Sequence, residues 1–128
     1  MNKLIIDVAN EKIFLMIITN ASIYNITHEN TKINYEKLTI IINDFLLSKN
    51  LKIADIGVIY INIGLGSFAG IRNSMSVVKA FNVAKNIDYY CYNLHDFKDE
   101  KDLSYESIPN LCKKYKIKKN LINPIYIS

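Results

Sequence analysis

Residues 64–72 read Gly64-Leu65-Gly66-Ser67-Phe68-Ala69-Gly70-Ile71-Arg72 and contain three of the chain's four glycines and its one arginine. Upstream, residues 57–63 form a continuous apolar run of strand length. Such a run suits a central strand covered on both faces. Downstream, Ile71, Met75, Val78, Phe81 and Ala84 recur at helical spacing over residues 71–86. The window is therefore a strand-to-helix junction. Glycine permits a sharp positive-φ turn and close approach of another backbone. Ser67 is placed to cap the helix. Free N–H groups at a helix start also make an anion site physically possible. The spacing matches no phosphate loop: no Lys follows Gly70, and the third glycine falls one residue late for GxGxxG. It is not a nucleophile elbow either, because Ser67 directly follows Gly66. On the residues alone, Gly64, Gly66, Ser67 and Gly70 make a structural turn motif.

Working outward, residues 3–8 and 12–19 are β-branched and aliphatic, with Asn10 and Glu11 between them, which predicts a hairpin. Residues 22–27 read as a third strand and 28–33 as a polar loop. Leu38, Ile41, Ile42, Phe45 and Leu46 predict a helix over 35–49 with Asn34 as N-cap. Residues 53–55 read as a short helix or a turn, and 88–93 as a tyrosine-rich strand. The order β-β-β-α-β-α-β predicts an α/β fold, a mixed sheet flanked by helices. Residues 95–105 are charged and aperiodic, and His95-Asp96 reads as a helix start. Residues 106–116 suit a short helix, and 121–128 an edge strand, where Pro124 is tolerated.

With 128 residues, 50% hydrophobic and 22% charged, the chain has the size and composition of one globular domain. Its 15 Lys, 23 Ile and 16 Asn point to a compositional drift toward AT-rich codons. The formal charge of +4 is uneven. Residues 1–97 carry 9 basic and 8 acidic groups; residues 98–128 carry 7 and 4. Lys113, Lys114, Lys116, Lys118 and Lys119 form either a solvated helix end or a phosphate-contacting segment. Cys91 and Cys112 have neither a disulfide-framework nor a zinc spacing, which fits a reducing cytoplasm. His28 and His95 belong to no metal pattern, so no metal site is expected. No membrane span or signal peptide is read.

The window resembles the GPGSFTGIR signature of the TsaB (YeaZ) family, noncatalytic members of the actin-like ATPase superfamily. Gly64, Gly66, Ser67, Phe68, Gly70, Ile71 and Arg72 match; Leu65 and Ala69 replace Pro and Thr, and Asn73-Ser74 replaces Ile-Gly. Asp7 and Ala9 match the family's DTAT-like turn, with Val8 and Asn10 departing. Glu36 and Leu38 match a HSExLLP-like helix start, where Asn34 replaces His. Asn93-Leu94 resembles the pair opening the next helix, and Asn123-Pro124-Ile125-Tyr126-Ile127 the C-terminal P-x-Y-[LI]-R.

This resemblance implies a single actin-like, ribonuclease H-like lobe over residues 1–97, with 98–128 as a remnant of the second lobe. It implies a noncatalytic scaffold or activator that dimerises with a TsaD-like catalytic subunit in threonylcarbamoyladenosine modification of tRNA. A TsaE-like ATPase is the further partner, tRNA is met through the complex, and no cofactor is expected in this chain, ATP belonging to the partners. The partner-binding residues it implies lie on the two helices: Phe68, Arg72, Ser74, Val77, Ala80 and Ala84 on the second, Ile40 and Leu47 on the first. The same helices also read as ordinary core elements. Phe68 is an anchor if exposed and core if buried. Arg72 suits a bidentate ion pair, within the domain or across an interface. Asp7 reads equally as a turn residue or as the sole carboxylate at a strand end. Three other readings stand beside the scaffold: an RNA-binding module using the Lys113–Lys119 segment, a relic nucleotide-binding enzyme of the kinase-like superfamily, and a homodimer in the partner's absence.

Overall fold

The computed structural model describes residues 1–66 and 68–121, with Phe68 described in its backbone only. Strands β1 (Asn2–Asp7) and β2 (Lys12–Ile18) form the expected hairpin, with Lys3 opposite Ile18 and Asp7 opposite Phe14. Strand β3 (Ile23–Glu29) pairs antiparallel with β2. Strands β4 (Ile56–Asn62) and β5 (Asp88–Tyr92) run parallel to β1, giving the order β3-β2-β1-β4-β5. The mixed sheet meets the sequence expectation. β1 and β4 are central and apolar on both faces, whereas β3 at the edge alternates half-buried and exposed residues. One residue is extra in β4: Asn2 faces Ile56 and Lys3 faces Val58, so Gly57 bulges out and the faces of β4 exchange parity there.

The helices are α1 (Lys32–Glu36), α2 (Leu38–Ser48), α3 (Phe68–Lys85) and α4 (Ile108–Lys114). The single helix expected over 35–49 is thus two. The chain leaves helical geometry at Lys37, with φ −100° and ψ 16°. Thr31, not Asn34, caps the first piece, accepting from the Asn34 N–H at 3.3 Å. The Asn34 side chain instead donates to the Glu29 carbonyl at 2.8 Å, tying the helix to the end of β3. That end also corrects the polar loop expected at 28–33, because β3 runs through Glu29. Short 3-10 turns occupy residues 53–55, 94–97 and 105–107. In the second, Asn93 and Asp96 exchange side chain-to-backbone hydrogen bonds of 3.1 and 3.0 Å.

α1, α2 and α3 cover one face. Leu4, Ile6, Ile13, Leu15, Ile59 and Ile61 of the sheet meet Ile42, Phe45, Leu46, Val78 and Phe81 of the helices. Each fully buried aliphatic side chain contributes about 1.5–3 kcal/mol of transfer free energy. On the other face, Ile5, Met16, Val58, Tyr60 and Tyr92 meet Phe97, Ile108, Leu111 and Cys112. The described residues beyond 97 therefore form a third layer on the same sheet. Cys91 and Cys112 are buried free thiols on opposite faces, and burial pushes each up to about 12. At residues 119–120 the chain reaches the open edge of β5, where the Asn120 N–H donates to the Tyr89 carbonyl at 2.7 Å. The edge strand expected over 121–128 lies, apart from Leu121, outside the described residues. No helix among the described residues is long and apolar enough to cross a membrane.

Candidate functional site

The parallel strands β1, β4 and β5 end on the same edge of the sheet, where open α/β folds place their ligands. Asp7 closes β1 and Asn62 closes β4, and both are buried, at 2% and 3% exposure. Buried polar groups of this kind require partners. The Asp7 carboxylate accepts from the Ala9 N–H at 3.0 Å, closing the hairpin turn. It accepts further from Asn62 Nδ2 at 3.1 Å, Tyr105 Oη at 2.8 Å and Asn10 Nδ2 at 3.3 and 3.4 Å. Tyr105 arrives from 98 residues away and lies flat on Phe14, ring centroids 3.8 Å apart. Burial and the Asp7 charge hold its hydroxyl well above the usual tyrosine range, so it remains a donor. The Tyr92 hydroxyl is buried nearby without a hydrogen-bond partner among the described residues and is raised for the same two reasons.

Chemically, this is one carboxylate saturated by hydrogen bonds. Metal-assisted phosphoryl chemistry draws on acidic oxygen ligands, and here the end of β4 supplies a neutral amide. Among the described residues no three His, Cys, Asp or Glu stand together as a metal cluster. The adjoining crevice, about 500 Å³, is lined by Asn10, Asn62, Leu65, Asn93, Leu94 and His95. Among the described residues it offers amides and one exposed imidazole, with no lysine or hydroxyl to take a phosphate. The described residues do not fit the metal-bound nucleotide that the resemblance to the actin-like superfamily implies.

The glycine window explains the crowding. The Gly64 N–H donates to Asn62 Oδ1 at 2.9 Å, so Asn62 bridges the window and Asp7. A Cβ on Gly64 would lie 2.7 Å from Asn93 Cβ. At Gly66, φ is +155° and a Cβ would lie 2.0 Å from the Ala9 carbonyl oxygen. The window is thus backbone wedged between the β1–β2 turn and the exit of β5. Helix α3 begins at Phe68, earlier than residue 71, so Gly70 sits inside its first turn. Ser67, the expected cap, lies outside the described residues.

The expected partner-binding residues separate. Ile40 and Leu47 on α2 are each 58% exposed, and Arg72, Ala80 and Ala84 lie on the outer side of α3. Val77 is half-buried against the helical core. Ser74 corrects the expectation: it is fully buried, and its hydroxyl donates to the Ile71 carbonyl at 2.8 Å. It falls on the stripe of Ile71, Val78 and Phe81 that faces the sheet, so it presents nothing to a partner. The side chain of Phe68 lies outside the described residues. Val83, which the sequence reading passes over, is a large apolar residue of α3 that stands 75% exposed. Asn62 and Tyr105 are also passed over. The signal for Asn62 was a lone polar residue in an apolar strand; Tyr105 had no local signal.

No protein-family model matches the sequence, and no curated protein matches it at a significant level. Solved structures do. YeaZ from Pseudomonas aeruginosa superposes with a TM-score of 0.66 at 16% identity, covering 72% of this chain and 43% of that one. A second P. aeruginosa structure, described as an uncharacterized protein similar to peptidase YeaZ, gives the same values. RuvC from Thermus thermophilus matches at a TM-score of 0.53 and 9% identity, covering 99% of this chain and 87% of that one. This chain thus spans about two fifths of the length of the YeaZ structures. The likeness establishes the architecture: the chain has a YeaZ-like, ribonuclease H-type fold.

Proposed function

We propose that this chain is a noncatalytic subunit that docks the outer faces of α2 and α3 on a TsaD-like catalytic subunit acting in threonylcarbamoyladenosine modification of tRNA. The observation that carries the reading is the exposure of Ile40, Leu47 and Val83 on the outer sides of helices in a YeaZ-like fold. Large apolar side chains grouped on an exposed face mark a surface that a partner can cover. Arg72, Ala80 and Ala84 belong to the same proposed surface. The chemistry of the strand ends agrees: Asp7 is committed to hydrogen bonds within the chain, and its neighbour is Asn62. On this reading nucleotide and metal stay with the catalytic subunit and a TsaE-like ATPase, and the assembly works in the cytoplasm. Phosphoryl chemistry in this chain is the weaker reading, because the β4 end lacks a carboxylate.

The test is coexpression with a TsaD-like subunit. A heterodimer is expected at micromolar concentration. Leu47→Glu and Val83→Glu should each weaken it by at least about 30-fold, the effect of one central contact. Both positions are exposed, so the melting temperature should stay unchanged. Failure of the wild-type chain to co-purify, or full binding by the double variant, would overturn the reading.

A further inference from the structure

A second cavity, about 500 Å³, opens on the face of the sheet opposite α2 and α3. Its walls carry Lys3 of β1, Lys113 and Lys116 of α4 and its exit, Asn110, and the tyrosines Tyr60 and Tyr90. Among the described residues no carboxylate lines it. Two neighbouring lysines are neutralised elsewhere: Lys114 pairs with Glu100 at 2.7 Å, and Lys119 with Asp88 at 3.6 Å. Lys3, Lys113 and Lys116 have no ion pair among the described residues. Three cations around one cavity repel each other, and an anion removes that cost.

Two further features bear on what the cavity would hold. Tyr60 is only 6% exposed, lines the cavity, and makes no side-chain hydrogen bond to a described residue. Burial, with Cys112 and Tyr90 beside it, pushes its hydroxyl up to about 12, so it stays a donor. It stacks on Tyr90 with centroids 5.3 Å apart and planes 11° from parallel. The second feature is Lys116. It holds a φ of +55° where the chain turns back from α4, closed by the Ile117 N–H donating to the Cys112 carbonyl at 2.9 Å. α2 ends the same way, Leu51 N–H to Leu46 carbonyl, but with Asn50 at the positive-φ position; Asn86 serves past α3. Asn tolerates that conformation and Lys does not favour it. At α4 alone of these three helix ends, the chain places a cation there, and that cation lines the cavity.

We propose that this cavity binds the phosphate backbone of single-stranded RNA, with Lys3, Lys113 and Lys116 neutralising phosphates and Tyr60 donating its hydroxyl. A groove lined by unpaired lysines is the part of single-strand binding that tracks the phosphate backbone, and the volume exceeds what one phosphate group needs. The site lies on the opposite face from the proposed subunit interface and stands without it.

Fluorescence anisotropy of the full chain with a labelled, unstructured 12-nucleotide RNA tests this. Three neutralised phosphates predict a log–log salt slope of about −2, roughly a 20-fold loss of affinity between 50 and 200 mM salt. Lys116→Asn should weaken binding several-fold and make the slope shallower by about 0.7. Its melting temperature should not fall, since Asn is the residue used at the other helix ends. Lys113→Gln should act alike, and Lys98→Gln, outside the lining, should change nothing. Absence of binding at 50 mM salt would overturn the proposal. So would unchanged affinity and slope in both cavity variants. Inorganic phosphate, titrated alone against backbone amide chemical shifts, separates the sources: saturable shifts at 113–117 together with RNA binding indifferent to both variants would assign a free anion and overturn the RNA assignment.

Discussion

The two faces of the sheet are covered in different ways. Three helices of 5, 11 and 18 residues lie on one face, and they meet it through Ile, Leu, Val and Phe. The other face is covered by a seven-residue helix and two short turns. There the aliphatic contacts are joined by ring pairs: Tyr92 on Phe97, Phe97 on Tyr115, Phe14 on Tyr105. The thin cover is also fastened by hydroxyls, Tyr105 to Asp7 at 2.8 Å and Tyr115 to Glu100 at 2.6 Å. Few residues can seal a sheet face when each is large and several are anchored at the tip, because a buried ring removes more area per backbone residue ordered. The same face carries the polar residues with chemistry, since a Tyr brings an OH wherever it brings a ring.

Removing a ring should break this arrangement most. Phe97→Ala, at a fully buried position, is expected to cost about 4 kcal/mol in urea unfolding. Ile42→Val, on the helical face, should cost about 1 kcal/mol. Equal losses would show that the thin cover adds little. Next comes the fastening. Tyr105→Phe keeps the ring on Phe14 and deletes the donor to Asp7, and about 1.5 kcal/mol of stability should go with it. An unchanged urea midpoint would mean that Asn62, Ala9 and Asn10 satisfy Asp7 alone. The smallest effect belongs to the exposed fastening. Hydrogen bonds from Lys114 and then Tyr115 hold the Glu100 carboxyl below its usual range. A carboxyl lowered in the folded state stabilises above its unfolded-state pKa, and that contribution disappears as pH falls through the lowered value. Thermal melts should therefore show a small wild-type advantage over Glu100→Gln at pH 7 that closes in acid. A gap constant with pH would show that charge is not its source.

Much of the sheet was legible locally. Apolar runs placed all five strands within about two residues, because strand patterning is a short-range property of buried positions. The break at Lys37 was not legible, since the apolar spacing continues across it and only the tie of Asn34 to β3 reveals the separate piece. Within the candidate site, the glycine window was readable as a tight junction, but not what it wedges against. Ser74 misled because a serine on a core stripe satisfies its hydroxyl on its own helix.

From the sequence alone came the βββαβαβ order, the strand-to-helix junction at residues 64–72 and the resemblance carried by that junction. Glycine scarcity made the junction visible, since Gly64 and Gly66, two of the chain's four glycines, stand where a Cβ would collide with Asn93 and the Ala9 backbone. Only the tertiary structure decided what surrounds Asp7. Tyr105, Asn62 and Asn10 reach it across separations of 98, 55 and 3 residues, and no local pattern encodes the first two. It likewise brought Lys3 beside Lys113 and Lys116 around one cavity. Propensity acts over a few residues, whereas hydrogen bonding and charge act through space, so the sheet could be read and its chemistry had to be seen folded.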